Sequence, residues 1–122
     1  MDKFESMLEK MIHMTENNKI DWTKGIDQSR VFYQFFTPTF RVKFMPRTES
    51  GGTAIIRQNN EASIEFFNRT GKKVVLITED DTPESKKLFW NLQEKVEKHI
   101  EKQVDAELDK FVIELNDIES SK

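Results

Sequence analysis

The 122-residue chain contains no cysteine. This excludes disulfides, thiolate metal ligands and a thiol nucleophile, so stability has to come from a packed core. Glycine and proline are scarce, at four and three residues. The Gly51-Gly52 pair is not followed by the Gly-Lys-Ser/Thr of a phosphate-binding loop. Histidine occurs only at positions 13 and 99. Neither falls in a motif with a nucleophile or a metal ligand, so both read as surface helix residues and not as catalytic bases. The longest apolar run, Val74 to Ile77, is far short of the roughly 20 residues a membrane-spanning helix needs. The opening residues MDKFESMLEKMIHM carry acids throughout and lack the apolar stretch of a secretory leader. The expectation from these absences is a cytoplasmic protein with no catalytic residues, no cofactor and no bound metal.

What is present is unevenly spread. Net charge is −3. Residues 1–29 hold four cations and six acids, residues 30–73 eight cations and three acids, and residues 74–122 seven cations and thirteen acids. A basic middle between acidic ends has two readings. Either a basic sheet balances acidic helices of its own chain, or it awaits an acidic ligand.

Apolar spacing orders the elements. Phe4, Met7, Leu8, Met11, Ile12 and Thr15 draw one stripe on a 3.6-residue period, which predicts a helix over 1–17 ending near Asn17-Asn18. Ile20, Trp22 and Lys24 alternate with polar neighbours, so a short strand is expected there, closed by Gly25. The stretch VFYQFFTPTFRVKF, residues 31–44, packs six aromatic rings into fourteen positions. It predicts two strands, 30–37 and 40–46, joined at Thr37-Pro38-Thr39, because proline cannot donate to a ladder. A turn at Glu49 to Gly52, a strand Thr53–Gln58 and a turn at Asn59-Asn60 follow. Next, SIEFFNRTGKKVVLIT reads as a hairpin with a three-residue loop and Gly71 in the left-handed position. That loop pairs positions whose numbers sum to 140, placing Ile64, Phe66, Val74 and Leu76 on one face. Asp80 and Asp81, with Thr82 as N-cap and Pro83 at the first turn, open a last helix over 83–118.

In that helix Leu92, Val96, Ile100, Val104 and Leu108 recur every four residues. Four residues turn 400°, so the stripe drifts about 40° per step. A straight helix cannot keep all of it on one sheet. Either the helix breaks near Gln103, or its second half meets another surface. The fold class is α+β: an N-terminal helix, an antiparallel meander of four to six strands over 20–78, and a C-terminal helix or helix pair. The expected core is Leu8, Met11, Ile12, Trp22, Val42, Phe44, Ile64, Phe66, Val74, Leu76, Phe89 and Leu92.

Three pieces carry a resemblance: FESMLEKMIHMTENNKIDWTKG, SIEFFNRTGKKVVLI and LFWNLQEKVEKHIEKQVDAELDKFVIEL. Together they resemble a diffuse group of small bacterial and phage-associated α+β proteins of unassigned function. Thr15, Ile20 and Trp22 match that group's first pattern; Asp105, Leu108, Asp109, Phe111 and Leu115 match its last. The resemblance implies the fold and a bacterial or phage origin, and no activity.

Two binding readings remain. In the first the chain is a non-enzymatic protein-binding module, an inhibitor, immunity or accessory protein. With both helices on one sheet face, the other face would expose Tyr33, Phe35, Phe67, Val75 and Ile77, while Phe111, Leu115 and Ile118 would form a second patch covered by another copy in a homodimer. In the second reading Arg41, Lys43, Arg57 and Lys73, with aromatic rings beside them, bind single-stranded nucleic acid.

Overall fold

A computed structural model describes residues 3–47, 61–79 and 84–121. The expected strand Thr53–Gln58, the turns on either side of it, Asp80, Asp81, Thr82 and Pro83, and the candidate cation Arg57 lie outside the described residues. The elements are α1 (Lys3–Glu16), β1 (Thr23–Asp27), β2 (Arg30–Phe36), β3 (Arg41–Met45), β4 (Ser63–Phe67), β5 (Lys73–Thr78) and α2 (Ser85–Ser120). The five strands form one antiparallel sheet in chain order. The fold is α+β.

The stripe of α1 is buried at Leu8, Met11, Ile12 and Thr15. Thr15 terminates it usefully. Its hydroxyl donates to the Met11 carbonyl at 2.7 Å and accepts from the Trp22 indole at 3.0 Å. The indole N–H is thereby satisfied in a fully buried ring. Asn18 then takes φ 57°, the left-handed turn-off expected there. One core joins Leu8 and Met11 of α1, Tyr33, Val42, Phe44, Ile64 and Ile77 of the sheet, and Phe89, Leu92 and Val96 of α2. Both helices therefore cover the same sheet face. No described element covers the other.

Several expectations are corrected. Gly25 does not end a strand; it lies inside β1, opposite Phe32. The strand starts at Thr23, so Ile20 and Trp22 are buried in the segment that leads into it. The β1–β2 turn uses Gln28 and Ser29, both at positive φ (49° and 65°), the geometry of a two-residue hairpin turn whose twist matches the strands.

The β4–β5 hairpin carries the largest correction. Its loop is as expected: Gly71 has φ 85°, and the Asn68 carboxamide oxygen accepts from the backbone N–H of Thr70 and Lys72. Phe67 pairs with Lys73, which sums to 140, but Phe66 pairs with Val75 and Ile64 with Ile77. Val74 is an extra residue, a β-bulge, and beyond it every side chain changes face. Ile77 is consequently fully buried. Val74 and Leu76, expected in the core, are about half exposed.

The helix α2 does not break. It runs unbroken for 36 residues, about 54 Å at 1.5 Å per residue. Its first half is held by Phe89, Leu92 and Val96 and by Gln93, whose side chain bonds the Arg47 N–H and carbonyl. The last described tie is Gln103, whose amide nitrogen donates to the Trp22 carbonyl at 3.2 Å. Gln103 marks the point where the helix leaves the domain.

Candidate protein-binding surface

Beyond Gln103, α2 continues through Val104 to Ser120, about 26 Å of free-standing helix. Val104, Leu108, Phe111, Val112, Ile113, Leu115 and Ile118 are 47–61% exposed, and no residue of this segment is buried. A free-standing helix of this length is marginal in water unless its apolar side is covered. At 100° per residue, the side chains buried in the first half and the stripe Val104, Leu108, Phe111, Leu115, Ile118 point about 100° apart. The tail stripe therefore cannot meet the sheet that its own first half covers.

The tail is also acidic. Residues 101–121 contain Lys102 and Lys110 against seven acids: Glu101, Asp105, Glu107, Asp109, Glu114, Asp117 and Glu119. In the heptad that places Leu108 and Leu115 at one core position and Val104, Phe111 and Ile118 at the other, Asp105, Glu107, Glu114 and Glu119 flank the stripe. Val112 is the one apolar flank. Phe111, Leu115 and Ile118 are thus brought together on an exposed surface, joined by Val104, Leu108 and Val112, which complete the patch.

The sheet-face set is divided. Tyr33 and Ile77 are core residues, 6% and 0% exposed. Phe35 stacks edge-on against Trp22 with centroids 4.7 Å apart. Val75 pairs with Phe66 on the helix-covered side. Their parity follows from the register: Tyr33 opposes Phe44 and Phe35 opposes Val42. Of that set only Phe67 lies on the open face.

The residues of the open face are different ones. Phe32 sits across Gly25, so closely that a Cβ added there would meet its ring at 2.4 Å. The Lys43 ammonium lies 4.6 Å from the centroid of the same ring. Arg41 lies 5.0 Å from the Phe67 centroid. Phe36 and Leu76, on the same parity, are 67% and 51% exposed. Reading Phe32 and Phe36 as partners of a glycine and an arginine needed the strand pairing. Alternation within the strand does not supply it.

The candidate cations are brought together here but are not idle. Arg41 donates to Gln34 at 2.9 Å. Lys43 pairs with Asp27 at 3.3 Å and Lys73 with Glu65 at 3.1 Å. Both carboxylates lie on the sheet, so part of the basic charge is balanced within the sheet itself and not by the helices.

Tyr33 has its phenol pushed above the ordinary value of 10.0, first by burial and then by the nearby Glu97 carboxylate. It is a core group, 6% exposed, on a strand position that pairs with Lys24. Among the described residues no group of three His, Asp or Glu could hold a metal ion, and no helix is long and apolar enough to cross a membrane. No protein-family model, no curated protein and no solved structure matches the chain.

Proposed function

We propose that this chain is a non-enzymatic protein-binding module whose docking element is the protruding half of α2. The observation that carries the reading is the exposed apolar stripe from Val104 to Ile118, on a helix that is continuous with the core and in which none of these side chains is buried among the described residues. Burying a Leu, Ile, Val or Phe side chain contributes roughly 1.5–3 kcal/mol. Six such residues on one rigid rod form a surface that a partner can use and that water does not favour. Helix α1 and the sheet serve as its base: they anchor α2 through Phe89, Leu92 and Val96. The nucleic-acid reading has weaker footing, because the net charge is −3 and the described tail is strongly acidic.

The test is purification of the chain from cells that express it, followed by light scattering on the eluted species. A complex of defined stoichiometry is expected, with itself or with a second protein. Phe111→Ser combined with Leu115→Ser should abolish that complex and, at dilutions where the unmodified chain is itself monomeric, leave the melting temperature little changed. A lone monomer with no co-purifying protein refutes the reading. So does a double variant that keeps the complex intact.

A further inference from the structure

Two apolar surfaces of opposite charge are left uncovered by the described residues: the acidic tail of α2 and the basic, aromatic outer face of the sheet. We propose that they cover each other in a second copy, each tail lying on the partner's open sheet face. This rests on the reading of α2 as a docking element and names its partner.

Charge distinguishes this arrangement from a pairing of two tails. A tail-on-tail contact, parallel or antiparallel, sets Asp105, Glu107, Glu114 and Glu119 against the same acids of the other chain. No lysine occupies a flanking position to relieve them. The sheet face offers the complement. Arg41, Lys43 and Lys73 stand on it against Asp27 and Glu65, and Arg69 and Lys72 extend it along the β4–β5 loop. Phe36 and Leu76 give it exposed apolar ground beside those cations, Phe36 across from Arg41 and Leu76 on the same strand as Lys73.

Area points the same way. Six half-exposed side chains on one tail offer about 500 Å². Pairing two tails buries about 1,000 Å² in total, below the range of stable interfaces. Two tail-on-sheet contacts bury about 2,000 Å², within it. The contact occurs twice and is related by a two-fold axis, so it closes on a dimer and leaves no end to propagate a fibre. The turn of about 100° between the two stripes lets one helix serve its own core and the partner's sheet in succession.

The chain has no cysteine, so single thiols can be placed at will. Two proteins, Glu107→Cys on the tail and Leu76→Cys on the sheet, are mixed and treated with a short bismaleimide. The expected product is the mixed tail–sheet dimer, with little Glu107→Cys homodimer. In parallel, Arg41→Glu with Lys43→Glu should weaken self-association about tenfold or more by sedimentation, and adding Glu107→Lys with Glu114→Lys should restore it. The crosslink serves if the charge variants fail to fold. A dominant tail–tail crosslink overturns the sheet contact while leaving the protein-binding reading standing. A monomer that binds a different protein through Phe111 and Leu115 overturns the second copy and again spares that reading. A monomer with no partner removes both.

Discussion

Ending the chain after Gln103 removes residues 104–122 and tests whether α2's second half belongs to the domain. Every side chain named in the core, up to Val96 and the partly buried Ile100, precedes the cut. None of the described residues in the removed segment is buried. At concentrations low enough for monomers, the free energy of unfolding should therefore change by no more than about 0.5 kcal/mol, the usual range for surface changes. Far-ultraviolet circular dichroism should change far more. Helical residues number 14 in α1 and 36 in α2, and seventeen of those fifty, Val104 to Ser120, are lost. The helical signal should fall by about a third if the tail is fully helical in the intact chain. The assay is urea unfolding of both proteins, followed by Trp fluorescence. A tail that folded back would bury at least three apolar side chains at roughly 1.5–3 kcal/mol each. Its removal would then cost about 5–9 kcal/mol, most of a small domain's stability. A loss above about 2 kcal/mol on truncation refutes the free-standing helix.

Other outcomes can be checked on the same material. Ile77→Ala should cost about 2–5 kcal/mol in urea unfolding, and Leu76→Ala under about 1 kcal/mol; the reverse order would mean that the Val74 bulge is absent. Tyr33 is the one tyrosine, so ultraviolet absorbance titrates it alone. Its midpoint should lie above 10.0 in the folded protein and return to that value in urea. A phenol pKa raised by folding contributes stability below the unfolded pKa and loses it as pH rises through the folded one, so stability should fall in the alkaline range above about 10. Glu97→Gln should bring the folded midpoint partway down; an unchanged midpoint would leave burial as the sole cause. Thr15→Val removes the acceptor of a buried indole N–H and should cost about 1–3 kcal/mol, with a neutral effect showing that Trp22 has found another acceptor.

How far the sequence could be read depended on whether local spacing decided the outcome. Leu8, Met11, Ile12 and Thr15 stand on one helical face and are buried as their spacing requires. The two strands rich in Phe were legible from the Thr37-Pro38-Thr39 turn. The parity of Tyr33, Phe35, Val75 and Ile77 was not, because it is set by strand pairing. Local signals also fail at Gln28-Ser29, where two residues with no strong preference for positive φ form a turn usually built on Asn-Gly. In α2 the four-residue spacing correctly indicated two surfaces. It could not distinguish a break from a continuous helix, since that depends on what Gln103 finds within reach.

The Val74 bulge bears on how the protein stays in solution. Among the described strands β5 is an edge of the sheet, and Val74, Val75 and Leu76 on it are exposed. A straight apolar edge is a template onto which other chains can add strands and begin to aggregate. The bulge bends that edge, and Lys72 and Lys73 place charge at its start. Deleting Val74 would leave Phe67–Lys73, Phe66–Val75 and Ile64–Ile77 paired as they are and would make the ladder regular. The domain would keep its core and lose the irregularity that guards its margin, and turbidity on gentle heating should appear sooner than in the intact chain.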